Sequence, residues 1–209
     1  MKRDSMAYTV GFTFVVCAFF VFFLALANEL TKERVAANRR LAERRAVLAA
    51  LGLPDPGPGG VDSAYESQVA LVAADAAGAP AELYRAGSGA EARYAMKASG
   101  PGLWGGISLM LAVDASVGRI VGLEILSQNE TPGLGGRIAE PWFTAQFRGE
   151  ALKSGAVRVR QGGGSGDPDP GNGELDAVTG ASLTSAAVER IVNGGLAAFV
   201  ALRDRGGLR

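Results

Sequence analysis

Between Asp176 and Ser185 the chain reads Asp-Ala-Val-Thr-Gly-Ala-Ser-Leu-Thr-Ser, a run of small residues that places hydroxyls on both sides of Gly180 just ahead of an apolar-periodic stretch. Hydroxyls at the start of a helix suit a phosphate, because the unpaired backbone N–H groups and the helix dipole there favour negative charge. The same residues also read as caps, whose side-chain oxygens accept from those unpaired N–H groups. Thr184 and Ser185 fit the capping role better than a ligand role.

Asp176, Thr179, Gly180, Ala181 and Ser182 match, in order and spacing, the pattern Asp-x-x-(Ser/Thr)-Gly-Ala-(Ser/Thr). In this the chain resembles the FMN-binding domain family, whose members include the C subunit of the sodium-pumping NADH:quinone reductase and the G subunit of the Rnf complex. The resemblance implies that a flavin transferase reads these five residues and esterifies the phosphate of FMN onto Ser182, where most relatives carry Thr. Gly180 and Ala181 would then let the backbone approach the phosphate, and Thr179 and Thr184 are carried with them as cofactor-binding residues. A link through the phosphate leaves the isoalloxazine ring free to be tuned by stacking, hydrogen bonding and nearby charge.

A second match is Asn129-Glu-Thr-Pro-Gly-Leu-Gly-Gly136, which by residue type alone is a turn punctuated by Pro132 and Gly133. By resemblance this loop packs on the flavin ring, with Glu130 and Thr131 bonding or positioning it and Leu134 covering it. A looser match, Gly102-Leu-Trp-Gly105, implies a stack of Trp104 on the isoalloxazine; a core or interface tryptophan is the alternative.

Composition narrows the chemistry further. Lys plus Arg and Asp plus Glu balance at 21 each, so there is no basic excess of the kind that binds nucleic acid. The chain has no histidine and a single cysteine, Cys17, which leaves no His-based acid–base catalysis, no cysteine-ligated iron–sulfur cluster and no internal disulfide. No catalytic residue and no metal ligand is assigned. Redox chemistry here needs an organic cofactor. The glycine-rich run Gln161 to Gly173 lacks the Gly-Lys-(Ser/Thr) ending of a phosphate-binding P-loop and reads as a flexible loop.

Residues 7–27 form an uncharged apolar run long enough to cross a bilayer, and they follow a short N-terminal tail, residues 1–6. Lys2, Arg3 and Ala25-Leu26-Ala27 also suit a cleaved signal peptide, but the run exceeds the usual signal core, so an uncleaved single-pass anchor is expected. Cys17 reads as a small apolar residue within it. Residues 28–60 comprise a juxtamembrane helix over Glu29–Leu51, whose arginines read as a solvated or headgroup-facing side, and a Pro/Gly linker from Leu53 to Gly60. The excess of arginine after the anchor predicts a cytoplasmic C-terminus. The resemblance implies the opposite, an inner-membrane protein with its flavin domain on the periplasmic or outer face, and long C-terminal domains translocate largely regardless of charge.

Residues 61–209 are expected to form one α+β domain, an antiparallel sheet covered by helices. Ile107–Ala115 and Arg119–Leu126 predict a hairpin around Ser116-Val-Gly118. A short amphipathic element carries Trp142, Phe143 and Phe147. A last helix near Leu183–Asp204 places Val188, Ile191, Val192, Leu196, Phe199 and Val200 on one face, with Ser182 at its start.

The resemblance thus implies a membrane-anchored flavoprotein subunit of an ion-translocating NADH:quinone oxidoreductase, relaying electrons through covalent FMN. It implies further subunits, a flavin transferase and the lipid bilayer as partners. Gly-Leu-Trp, the Gly-Gly after Leu134 and the Asn-Arg-Arg of the basic helix lean toward the quinone reductase, whereas the short chain leans toward the Rnf complex. A stand-alone membrane-tethered FMN sensor and a structural subunit that is never flavinylated are the alternatives.

Overall fold

The computed structural model describes residues 6–57, 59–76, 79–152, 154–162, 166, 169 and 171–208. Most of the N-terminal tail, and parts of the Gln161–Gly173 loop, lie outside the described residues. A single helix, α1, runs from Met6 to Ala50, so the apolar run and the basic stretch after it are one continuous element. Internal contacts divide the chain into two compact units, Met1–Leu41 and Ala42–Arg209.

In the first unit the most apolar 18-residue window has a mean hydropathy of 2.7, and none of it is buried. Phe12, Phe14, Phe19, Phe20, Phe22 and Cys17 all face outward. The described part of this helix is long and apolar enough to cross a membrane, and its side chains find no protein core of their own.

The second unit begins at Ala42, ahead of the start expected at Val61. The reason is packing. Val47, Leu48 and Leu51 fall on one helical face and are fully or almost fully buried; Val47 and Leu51 join a cluster with Tyr84, Ala95, Met110 and Ala112. Gly52, at φ +68°, ends α1, with Leu53 N–H returning to the Leu48 carbonyl. The chain then crosses the Pro/Gly segment into α2, Val61–Gln68. Arg44 holds α2 in place: its guanidinium lies 2.7 Å from Asp62 Oδ1 and 3.2 Å from Glu66 Oε1, and 4.9 Å from the centre of the Tyr65 ring. One of the arginines expected on a solvated face is therefore a tie within the domain.

Five strands follow: β1 (Val69–Ala76), β2 (Ala79–Ala86), β3 (Arg93–Pro101), β4 (Gly106–Asp114) and β5 (Ile120–Ser127). They form one antiparallel meander in sequence order. The predicted hairpin is β4–β5. Its turn is fastened by the Asp114 carboxylate, which accepts from the N–H groups of Gly118 and Arg119 and from the Ser116 hydroxyl.

β4 is buried on both faces, which explains its nearly unbroken apolar sequence. Met110 and Ala112 face the end of α1. Leu109, Leu111 and Val113 face the other way, into the larger core with Phe143 and Phe147 from and just after α3 (Pro141–Ala145), and Val188, Val192, Leu196 and Phe199 from α4 (Ser182–Asp204). A small parallel pair, β6 (Arg158–Arg160) and β7 (Glu174–Asp176), sits beside α4. It is tied there by Asn193, which both donates to and accepts from the Val157 backbone, and by Glu189, which accepts from Val159 N–H.

Gly122 of β5 lies directly beneath the end of α1, and a Cβ there would come within 2.6 Å of the Ala50 carbonyl oxygen. Gly122→Ala is expected to destabilise the domain by about 1–3 kcal/mol, because backbone in a packed core yields little. Chemical denaturation of the two proteins side by side measures this; equal stability would show that the α1 end is only loosely seated.

Candidate functional site

Three segments far apart in the chain meet at the edge of the larger core: the turn 102–105 between β3 and β4, the loop 129–135 after β5, and residues 178–185 leading into α4. The group that joins them is the carboxylate of Glu130, a residue only 5% exposed. Its Oε1 accepts from the N–H groups of Leu103 (2.9 Å) and Trp104 (3.0 Å), and its Oε2 accepts from the Thr184 hydroxyl at 2.5 Å.

Burial alone would push this carboxyl upward in pKa. The Thr184 hydroxyl and the N–H groups of Trp104, Leu103 and Gly105 outweigh burial and hold it below the ordinary carboxylate range. Glu130 is therefore ionised at neutral pH, although no Lys or Arg pairs with it among the described residues.

Two glycines make the approach possible. A Cβ on Gly102 would fall 2.5 Å from Glu130 Oε1, and one on Gly135 would fall 2.6 Å from Thr184 Oγ1. Above this junction the loop closes on itself, with the Thr131 carbonyl accepting from Leu134 N–H (3.1 Å) and Gly136 N–H (2.9 Å). Thr131 itself is exposed.

The expected capping by Thr184 and Ser185 is corrected by their bonds. Thr184 is committed to Glu130. Ser185 accepts from Val178 N–H and donates to the Ala181 carbonyl, each at 3.0 Å, so it braces the turn that precedes the helix. Gly180 takes φ +79° in that turn. Ala181 stands at the N-cap position, and no side chain caps α4. The start of the helix thus keeps N–H groups for an outside acceptor, with Thr179, Gly180 and Ser182 exposed around it.

Asp176 ends β7 and is half-buried. Its backbone is gripped by the Gln146 side chain, which accepts from Asp176 N–H at 2.6 Å and donates to its carbonyl at 3.2 Å. Gln146 carries no local sign of this role in the sequence.

An apolar face completes the arrangement. Trp104 is 72% exposed, Leu183 65%, Leu103 51% and Leu134 46%. Trp104 is thus no core tryptophan, and Leu134 reaches over Gly180, where an added Cβ would touch its Cδ2 at 3.4 Å. Leu103 lies within the Gly102–Gly105 match and Leu183 directly follows Ser182, but the sequence assigns neither a role. Together these residues leave apolar side chains exposed on the segments that Glu130 joins, beside an uncapped helix start and the exposed Ser182, a combination that suits a planar ring carrying a phosphate tail. Among the described residues no cluster of metal-ligating side chains occurs.

Removing the Ser185 hydroxyl would leave the Val178 N–H buried without its acceptor. Ser185→Ala is expected to cost about 1–3 kcal/mol, read by denaturant unfolding, with earlier amide exchange at Val178. Unchanged stability and exchange would mean that the turn holds without the brace.

The FMN-binding domain model matches residues 102–197, which run from the Trp104 turn into α4. The G subunit of the ion-translocating oxidoreductase complex of Pseudomonas aeruginosa is 35% identical over 193 residues, covering 87% of this chain and 83% of the relative. The C subunit of the Na(+)-translocating NADH-quinone reductase of the same species is 27% identical over 240 residues, covering 92% of each. The crystal structure of Shewanella oneidensis NqrC superimposes with a TM-score of 0.66 at 21% identity, over 80% of this chain and 99% of that one, a likeness of fold. The chain belongs to the FMN-binding domain family.

Proposed function

We propose that this chain is the membrane-anchored flavoprotein subunit of an ion-translocating oxidoreductase complex, and that it carries FMN as a phosphoester on Ser182. The observation that carries this reading is the exposed Ser182 at the first position of an uncapped helix, next to the apolar face of Leu103, Trp104, Leu134 and Leu183. The FMN-binding domain match and the named relatives support the cofactor and the kind of complex.

Each residue has a task in this reading. In attachment, the Ser182 oxygen forms a new bond to the phosphorus of FMN, the bond from that phosphorus to its previous carrier breaks, and the hydroxyl proton leaves with the carrier. Asp176, Thr179, Gly180 and Ala181 present Ser182 to the flavin transferase. The helix start then faces the phosphate, which is the favourable sign for the dipole. Trp104 and Leu134 pack on the ring and Thr131 borders it, while Glu130 and Thr184 hold those segments in place from beneath. The bound flavin supplies reversible electron uptake; the protein adds position and field and has no acid–base work to perform.

The apolar helix anchors the flavin domain to the inner membrane, and the domain lies on the outer face, a long C-terminal part exported behind an N-terminal segment. Other membrane subunits give and take the electrons. Of the two kinds of complex, the ion-translocating oxidoreductase relative has the higher identity, 35% against 27% for the quinone-reductase relative in the same species. The quinone-reductase reading rests on the motif details around Trp104 and Leu134 and on the Asn-Arg-Arg of the basic helix.

The test is production of the full chain together with a flavin transferase, followed by denaturing electrophoresis and in-gel flavin fluorescence. The fluorescence is expected in the wild type and absent in Ser182→Ala; a dark wild-type band would leave a structural role as the better reading. Trp104→Ala should keep the fluorescent band and the fold, since the side chain is largely exposed, yet shift the absorbance of the bound flavin. An unaltered spectrum would remove Trp104 from the ring's contacts.

A further inference from the structure

We infer that Glu130 acts as a positioning residue whose buried negative charge, without a cationic partner among the described residues, holds down the reduction potential of the flavin; this rests on the function proposed above. The resemblance implies that Glu130 bonds or positions the flavin. In this structure its carboxylate is turned onto donors of the protein. Both oxygens are taken up by donors of the protein, Oε1 by Leu103 and Trp104 and Oε2 by Thr184, and the residue is 5% exposed.

The donors are all neutral. They stabilise the carboxylate by hydrogen bonding without cancelling its charge, unlike the six ion pairs elsewhere among the described residues, each of which joins opposite signs. A buried charge is also poorly screened by salt. The carboxylate is bonded directly to the backbone of Trp104 and to a side chain two residues beyond Ser182, so it lies under the same three segments that would enclose the cofactor. Adding electrons to a flavin adds negative charge, which a nearby fixed negative charge opposes. An electron relay has use for such a device, because the potential decides which donor and acceptor it can serve.

The hydrogen-bond inventory allows charge to be separated from shape. In Glu130→Gln the amide oxygen can keep accepting from Leu103 and Trp104, while the amide NH2 donates to the Thr184 oxygen, whose hydroxyl turns round. The bracket survives and the charge is gone. Thr184→Val does the reverse, removing one donor and leaving the charge.

The experiment uses the full chain produced with a flavin transferase. In-gel fluorescence first establishes that wild type and variants carry the flavin; a dark wild type would count against the proposed function, whatever the potentials. With flavin present, spectroelectrochemical titration gives the potential, and Trp104 emission, isolated in a Trp142→Phe background made without transferase, reports whether the turn keeps its environment. Expected is a more positive potential in Glu130→Gln with unchanged Trp104 emission, and a potential at or below wild type in Thr184→Val. A flavinylated Glu130→Gln protein with the wild-type potential would overturn the inference. So would a positive shift of equal size in Thr184→Val, since disturbed shape would then account for both. Should Glu130→Gln fail to fold, the double variant Glu130→Met/Thr184→Val, which also removes the charge while replacing both partners by apolar groups, takes its place beside Thr184→Val alone: a more positive potential in the double variant only is expected, and a wild-type potential there overturns the inference.

Discussion

The site depends on one carboxylate. Glu130 joins a turn between strands, a glycine-rich loop and the first turn of α4, and it does so across 54 positions in the case of Thr184. The turn and the loop each close on themselves through short backbone hydrogen bonds, and this junction is what fastens them to one another and to α4, while Ser185 and Gln146 fasten the chain just before the helix. A buried carboxylate with unmet acceptors is costly, and one with its donors supplied is rigid. The requirement runs both ways: Gly102 and Gly135 must lack side chains for the donors to reach it.

That junction needs a firm support, and β4 provides it. The strand pairs along its whole length with β3 and nearly so with β5, and its two faces are covered by different helices. The end of α1 contributes Val47 and Ala50 to one face, with Leu51 just after it, while α4 covers the other with Val188, Val192, Leu196 and Phe199. The helix whose first residue is Ser182 is therefore the one most deeply committed to the core. Its N-terminus cannot drift without disturbing Phe199 and Leu196, and this is what allows an exposed first turn to keep a defined position.

Much of this is legible in the sequence because local pattern and final environment agree. The β4–β5 hairpin is readable from two β-rich runs around a short turn, and α4 from apolar residues at helical spacing. The division of α1 is not readable: Val47, Leu48 and Leu51 continue the same apolar-and-basic pattern that precedes them, and only the sheet surface beside them distinguishes them from a solvated helix. Arg44 looks like its neighbours until Asp62 and Glu66 are seen beside it. At the site, the motif names Ser182, Gly180 and Leu134, yet it cannot reveal that Thr184 and Ser185 are spent inward, since their partners are set by tertiary contact and a hydroxyl before a helix usually caps it. Leu103 and Leu183 stay hidden for a related reason: a lone leucine carries no signal until its neighbours leave it exposed.

The exposed face is the remaining physical tension. Trp104, Leu183, Leu103 and Leu134 stand in solvent together on segments that are otherwise polar or glycine-rich. A folded domain gains by covering such a group of side chains, and a grouped apolar surface marks a place where something binds. A tethered planar ring would cover part of it and would remain within reach of a neighbouring protein on its other side. Burying the ring completely would protect it but lengthen the path for electrons, whereas leaving it free would lose its alignment. The attachment proposed at Ser182, beside a face that is apolar and still open, would reconcile these demands: a covalent bond would keep the cofactor in place, so the surface that receives it need not enclose it.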